Sequence, residues 1–274
     1  MTNREESVNP IEEDSDAPWL DFHTHTTFSD GDLSLDEMVE LALERGLTHL
    51  AITDHLFTHI APVHLVALDE DSAPQADDEL LEEIKGDAVA DIGFGEYISE
   101  LERIRADAAT KGLCVFAGGE IDFLVAEKHF QVMVGALNRL DFLLVENING
   151  GNWRKFKSLI ESLEIPVGLA HMDIFSAFPD VPPKMLASAV AEVGVFVELN
   201  AASMWRVESL KEAEAHYAEL MKRKQRFSFG TDLHDLRPIA GAVAAGWEFV
   251  VSTGLEPGME WIRALSKGRE TETG

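Results

Sequence analysis

The sequence predicts an α/β fold in which parallel strands alternate with helices, most simply as a single closed or distorted barrel. Short apolar runs alternate with amphipathic helical patterns along most of the chain, and most links between them are short. Such an alternation builds right-handed βαβ units around a parallel sheet. A chain of 274 residues also has the length that a single barrel domain typically requires.

The predicted elements follow one another in a regular order. The apolar runs predict strands at 19–22, 48–53, 113–117, 132–137, 142–145, 167–170, 195–199 and 227–229. Helical periodicity predicts helices at 35–45, 97–111, 153–163, 183–193 and 208–223. Ser34 and Glu37 form a capping-box pattern at the start of the first helix, and Gly46 fits its end.

Three polar segments fall outside this alternation. Residues 1–17 are acidic without the apolar stretch of a signal peptide, and they are predicted to be a disordered leader before a barrel at 18–266. Residues 56–96 form an acidic insertion longer than an ordinary connection, which predicts a lid. Residues 267–274 are predicted to be a polar tail.

The composition of the chain argues against some classes of binding partner and location. The net charge is −28, with 50 acidic against 22 basic residues, which argues against binding of a nucleic-acid backbone. No apolar run is long enough to span a membrane. The single cysteine, Cys114, cannot form an intramolecular disulfide, so a cytoplasmic location is expected. Nothing in the sequence indicates an oligomeric state.

Side chains that bind metals recur just after the predicted strands. His23 and His25 end the first strand, where both imidazoles can reach one ion. Further candidates follow later strands: Asp30, Asp54, His55, Glu120, His171, Asp232 and His234. Because the carboxyl ends of parallel barrel strands meet at one face, this pattern predicts a multinuclear metallohydrolase. Mixed imidazole and carboxylate ligands suit Zn²⁺, Mn²⁺ or Fe²⁺ better than Ca²⁺.

These motifs, in order from residue 21 to 235, resemble those of the PHP (polymerase and histidinol phosphatase) superfamily. The matching motifs are His23-x-His25, Ser29-Asp30-Gly31, Thr53-Asp54-His55, Gly119-Glu120, Ala170-His171 and Gly230-Thr-Asp232-x-His234. The resemblance implies a distorted (β/α)7 barrel that holds two or three divalent ions. It implies His23, His25, Glu120 and Asp232 for the first ion, Glu120 and His171 for the second, and Asp30, His55 and His234 for the third.

The sequence leaves open one ligand of the second ion and the role of Asp54. Relatives of the histidinol-phosphatase type often carry a histidine after the strand that resembles 141–145, where this chain has Glu146. His129, Glu146 or Asn147 could replace that ligand. His129 is the predicted replacement, because it lies on what resembles the next hairpin after Glu120. Asp54 is interpreted as a residue that orients His55 rather than as a ligand.

The predicted function is that of a metal-dependent phosphoesterase, which hydrolyses a small phosphorylated substrate by attack of a metal-bridged hydroxide. His234, His55 and Asp232 are the candidate catalytic residues, and Arg237 and Arg206 the candidate phosphate-binding residues. Three alternatives remain open: a histidinol-phosphate phosphatase, a metallohydrolase that attacks an amide or ester carbon, and a non-catalytic metal-binding module.

Overall fold

A computed structural model describes residues 17–56, 93–171, 177–202, 207–235 and 240–270. The strands are β1 (Leu20–Asp21), β2 (His49–Ile52), β3 (Cys114–Ala117), β4 (Glu120–Asp122), β5 (Leu143–Glu146), β6 (Val167–Leu169), β7 (Phe196–Asn200) and β8 (Phe227–Gly230). The helices are α1 (Leu35–Glu44), α2 (Phe94–Thr110), α3 (Phe123–Ala126), α4 (Phe130–Leu137), α5 (Trp153–Ile160), α6 (Pro183–Val193), α7 (Val207–Lys222), α8 (Ala240–Thr253) and α9 (Glu260–Glu270).

Local sequence signals set the ends of several helices. Ser34 and Glu37 form the predicted capping box at the start of α1, since each side chain bonds the other residue's backbone N–H. Pro183 occupies the first turn of α6, where its missing N–H costs no helical hydrogen bond. Gly194 ends the same helix at φ 80°, a left-handed conformation that favours glycine.

All strand pairs are parallel, which confirms the predicted fold class. One sheet has the order β1-β2-β3 and the other β4-β5-β6-β7-β8. Hydrogen bonds join the sheets at both seams: Phe22 N donates to Phe229 O at 2.8 Å, and Leu56 N donates to Glu120 O at 2.8 Å. The strands are therefore arranged as in a distorted TIM-like barrel, with their carboxyl ends at one face.

Aromatic side chains from several strands form the centre of the core. The Phe22 ring stacks on Phe142 with centroids 4.2 Å apart and meets Phe116 edge-on at 5.2 Å. Phe196 from β7 and Trp261 from α9 pack against the same ring. Such close packing of large side chains holds the strands together and fixes the residues that follow them.

One predicted strand is wrong and one strand was not predicted, and both lie in the same part of the chain. Residues 132–137, predicted as a strand, belong to helix α4, and Glu120–Asp122 form a strand that was not predicted. A short apolar run does not distinguish the two periods, but the buried residues Phe130, Met133 and Leu137 lie on one helical face. Helices α8 and α9 were also not predicted.

The predicted leader and insertion lie almost wholly outside the described residues, as do residues 271–274. Helix α9 reaches Glu270 and so includes the first part of the predicted polar tail. The division into leader, barrel and tail stays a prediction. In the described ranges, no helix has the length and apolar character that crossing a membrane requires.

Gly168 in β6 tests how tightly the core is packed. A Cβ atom at this position would overlap the ring of Phe196 on the neighbouring strand. We expect Gly168→Ala to lower the free energy of unfolding by about 1–3 kcal/mol, because the core would be overpacked. Gly135→Ala, in α4 with open space around it, is the matched control and should be neutral or stabilising. Urea denaturation measures both, and an unchanged midpoint for Gly168→Ala would contradict the packing.

His49 in β2 makes the stability depend on pH. Burial and the nearby Arg263 lower the pKa of His49 to about 4, against a value near 6.5 in an unfolded chain. Between these values the unfolded chain binds more protons, so the folded state loses stability as the pH falls.

The variant His49→Asn removes this titrating group. In chelator-treated protein, the unfolding free energy of the wild type relative to this variant should fall between about pH 7 and pH 4.5. Urea denaturation across that range measures the difference. If it stayed constant with pH, the burial of a neutral His49 imidazole would be contradicted.

Candidate metal centre

Histidine and carboxylate side chains converge at the carboxyl ends of the strands. His23 and His25 follow β1, and His55 follows β2. Glu120 begins β4, His171 follows β6, and Asp232 and His234 follow β8. The structure therefore brings together side chains that are up to 211 positions apart in the sequence, as 234 − 23 gives. They form three adjoining clusters.

The central cluster consists of His23, His25 and Glu120, all buried. The Nε2 atoms of the two histidines lie 2.9 Å apart, and Glu120 Oε2 is 3.3 Å from each of them. Asp232 Oδ1 completes the group at 3.2 Å from His25 Nε2 and 3.5 Å from His23 Nε2. Four ligand atoms thus point at one small volume.

The outer cluster consists of His25, Asp30, His55 and His234. Asp30 Oδ1 lies 3.3 Å from His234 Nε2, and Asp30 Oδ2 lies 3.8 Å from His55 Nε2. The side chain of Asp30 is 39% exposed and that of His234 is 33% exposed, so this cluster forms the open rim of the centre. A substrate can reach it from solvent.

The inner cluster consists of Glu120, Glu146 and His171. His171 Nε2 is 2.9 Å from Glu120 Oε1 and 3.6 Å from Glu146 Oε2. The three clusters form a row, because His25 belongs to both the central and the outer cluster, and Glu120 to both the central and the inner cluster.

The donor set fits divalent metal ions. Glu120 Oε2 is buried and has no hydrogen-bond partner among the described residues, although it faces several imidazole nitrogens. Two imidazole nitrogens 2.9 Å apart repel each other when both carry lone pairs, unless a cation or a proton lies with them. A divalent ion satisfies both the carboxylate oxygen and the nitrogens.

The pKa values in the central cluster also show that positive charge is favoured there. Burial alone would lower the pKa of His23, but the carboxylates of Glu198, Glu120 and Asp232 raise it well above its usual value. Burial would likewise raise the pKa of Glu120, and the adjacent His23 holds it well below its usual range. Without an ion, protons supply the positive charge, so metal binding must release them and weakens as the pH falls.

The outer and inner histidines differ in their charge. Burial lowers the pKa of His55 to about 4, so its imidazole is neutral near pH 7, the form that binds a metal. Burial works in the same direction at His171, but the hydrogen-bonded carboxylate of Glu120 outweighs it and raises the pKa of His171 to about 9.

A buried carboxylate that was not predicted as a site residue holds two of the metal-binding histidines in place. Glu198 in β7 lies 2.8 Å from His23 Nδ1 and accepts a 2.5 Å hydrogen bond from the backbone N–H of His171. Asn200 Nδ2 donates to the same carboxylate at 3.2 Å. A charged residue inside the otherwise apolar run 195–199 was the signal in the sequence. Glu198 therefore orients His23 and His171 together.

Asp54 holds the turn that leads to the outer cluster, and its predicted role in orienting His55 stays a prediction. Its buried carboxylate accepts hydrogen bonds from Thr26 N at 2.6 Å, Thr26 Oγ1 at 2.8 Å and Ser29 Oγ at 2.6 Å. These bonds hold the turn that leads to Asp30. At Gly31 a Cβ atom would overlap the backbone of His25, so the Ser-Asp-Gly turn requires glycine. Asp54 thus positions the carboxylate of the outer cluster.

The backbone is strained at the strand ends that carry the centre. Among the non-glycine residues described, His171 has φ 22°, Asp232 has φ 55° and Asn147 has φ 61°. Such conformations cost on the order of 1–3 kcal/mol each and persist where surrounding contacts fix them. The hydrogen bond from His171 N to Glu198 is one such contact.

The structure does not bring His129 into any of the three clusters. The predicted hairpin after Glu120 is instead the short helix α3, and His129 lies buried at the N-terminal end of α4. Glu146, at the end of β5, lies beside His171 in its place. Arg206 and Arg237, predicted to bind phosphate, lie outside the described residues.

Removing the Glu198 charge tests its positioning role. We expect Glu198→Gln to weaken metal binding about 10- to 100-fold, because the imidazole of His23 loses its orienting carboxylate. Calorimetric titration of Mn²⁺ or Zn²⁺ into chelator-stripped protein measures the affinity. Glu102→Gln, on the exposed face of α2, is the control and should not change it. Equal affinities for both variants would rule out the role.

Comparison with known proteins adds a family and a fold. The sequence model described as the PHP domain matches residues 21–223. Histidinol phosphate phosphatase from Lactococcus lactis, solved with zinc, L-histidinol and phosphate, has a TM-score of 0.56 and 15% identity, over 86% of this chain and 93% of that chain. This similarity shows a shared fold.

Other solved structures resemble this chain more weakly. A chain of archaeal ribonuclease P with mature tRNA has a TM-score of 0.46 and 12% identity, over 92% of this chain and 91% of that chain. The tryptophan synthase α-subunit from Pyrococcus furiosus has a TM-score of 0.45 and 10% identity, over 90% and 96%. No curated protein matches the sequence.

Proposed function

The chain belongs to the PHP domain family, and on that premise we propose that it is a metal-dependent phosphoesterase that hydrolyses a small phosphorylated substrate. The observation that carries the proposal is the row of three histidine and carboxylate clusters joined through His25 and Glu120. When bound, two or three divalent ions such as Zn²⁺, Mn²⁺ or Fe²⁺ would lower the pKa of water and neutralise charge on the phosphoryl oxygens.

The proposed ligands divide among the clusters. His23, His25, Glu120 and Asp232 would hold the first ion, and Glu120 would bridge to the second, beside His171. Asp30, His55 and His234 would hold the third ion at the rim. The carboxylate oxygens of Glu120 support the bridging role, since Oε2 faces the central cluster and Oε1 faces His171.

His234 and His55 are proposed to act on the leaving group. Both side chains line the rim, with ring centroids 6.1 Å apart, and His234 is partly exposed. The third ion would assist the departing ester oxygen, and where that ion is absent an imidazole in this position can hold a proton at Nε2 and deliver it to the same oxygen. Asp232 is proposed to fix the catalytic geometry, because its carboxylate lies between His23, His25 and His234.

The proposed substrate is small. The net charge of −28 disfavours a nucleic-acid backbone as the substrate. Arg206 and Arg237 remain the proposed phosphate-binding residues, although both lie outside the described ranges. A cytoplasmic location also remains part of the proposal.

Mutation of the central cluster tests this proposal. We expect His25→Ala and Asp232→Asn to reduce phosphate release to background while the far-ultraviolet circular dichroism stays unchanged, because both lose a ligand of the first ion. The assay uses a panel of phosphomonoesters, phosphodiesters and histidinol phosphate, with a lactone and a carboxylic ester for comparison.

The control is His49→Asn, which removes an imidazole at the opposite end of β2 from His55 and should retain activity. Wild-type turnover in either cluster variant would contradict the proposal. Hydrolysis of the lactone or ester without phosphate release would assign the chain to the metallohydrolases that attack carbon.

A further inference from the structure

We infer that Glu146 is a ligand of the second metal ion and that it makes this site richer in carboxylates, which reduces its preference for Zn²⁺ over Mn²⁺. The inference rests on the proposed function only in assuming that the centre holds metal ions. It concerns the inner cluster of Glu120, Glu146 and His171.

The sheet brings these three residues together. Strand β5 lies between β4 and β6, and Glu146 at its end pairs in register with Asp122 of β4. Glu120 begins β4, and His171 follows β6 after one intervening residue. Two members of the inner cluster therefore lie in paired strands, and the third follows the next strand, where Glu198 of β7 holds its backbone N–H.

The distances suit a single ion. His171 Nε2 lies 2.9 Å from Glu120 Oε1 and 3.6 Å from Glu146 Oε2. Ligand atoms about 2.0–2.2 Å from one ion, as in protein zinc sites, are separated from each other by about 3.3–3.6 Å in tetrahedral geometry. The three side chains need to move little to share an ion.

The charges around Glu146 also favour a cation. Its carboxylate is partly buried, and burial together with the negative charges of Glu120, Asp122 and Asp232 raises the pKa of Glu146. In the part of the chain that the structure describes, no lysine or arginine forms an ion pair with it, and His171 is its ion-pair partner. Carboxylates grouped in this way repel one another unless positive charge lies between them. A divalent ion beside His171 supplies that charge.

The type of donor predicts the selectivity. Carboxylate oxygens suit Mn²⁺ and Mg²⁺, whereas imidazole nitrogens suit Zn²⁺ and other later transition metals. A site with two carboxylates and one imidazole should therefore discriminate less in favour of Zn²⁺ than a site with one carboxylate and two imidazoles. The inner cluster has two carboxylates and one imidazole, because Glu146 takes the place in it that was predicted for His129.

The experiment counts and compares metals in the full chain. Chelator-stripped wild type, Glu146→Gln and Glu146→His are titrated separately with Mn²⁺ and Zn²⁺ by calorimetry, and bound metal is measured by mass spectrometry after dialysis. Asp122→Asn is the matched control, because it removes a neighbouring carboxylate that caps α3 and is outside the cluster. Circular dichroism verifies that each variant is folded.

We expect Glu146→Gln to lose one bound ion per chain, or about 10- to 100-fold in affinity at one site, with Asp122→Asn unchanged. Glu146→His should retain the ion and raise the ratio of Zn²⁺ to Mn²⁺ affinity at least about tenfold. Coupled Mn²⁺ signals in electron paramagnetic resonance should disappear in Glu146→Gln.

Full occupancy in Glu146→Gln would overturn the inference, as would loss of the ion in His129→Gln instead. An unchanged ratio of Zn²⁺ to Mn²⁺ affinity in Glu146→His would contradict the inference that Glu146 sets the metal preference. These readouts do not depend on turnover. If the wild type bound its metals but released no phosphate from any ester, the proposed function would fail and the assignment of Glu146 would stand.

Discussion

The carboxylate of Glu120 is the group on which the arrangement of the centre depends. It is buried, and its oxygens lie 3.3 Å from His23, 3.3 Å from His25, 3.2 Å from His55 and 2.9 Å from His171. Moving a carboxylate out of water costs several kcal/mol unless positive charge and hydrogen bonds compensate for it. Several strand ends must therefore deliver imidazoles to the same point, and a parallel barrel is a fold that can do so.

The interior of the barrel and the face at the carboxyl ends of its strands have different chemistry. The interior is filled by aromatic rings around Phe22, which exclude water and hold the strands in register. One residue further along the chain, His23 begins the polar centre. Buried carboxylates then fix the ligands: Glu198 holds His23 and the backbone of His171, and Asp54 holds the turn before Asp30. The hydrogen bond from His171 N to Glu198 also maintains the strained backbone at His171.

The sequence predicted most of the strands and most of the centre, because a histidine or carboxylate directly after an apolar run lies at the carboxyl-end face of a parallel fold. Helix α4 was missed because its short apolar run fits a strand as well as a helix, and this error placed His129 on a hairpin that does not exist. Glu198 interrupts the apolar run 195–199, but the run alone does not show that its carboxylate turns inward to meet His23. The approach of Glu146 to His171 depends on strand pairing, which single-sequence patterns do not specify.

The most direct test is a crystal structure of the metal-loaded protein with phosphate, with anomalous diffraction recorded at the zinc, manganese and iron absorption edges. We expect anomalous peaks about 2.0–2.2 Å from both carboxylate oxygens of Glu120, and phosphate between these peaks and the rim at His234. A peak away from Glu120, or loaded crystals without a peak at the carboxyl ends of the strands, would contradict it.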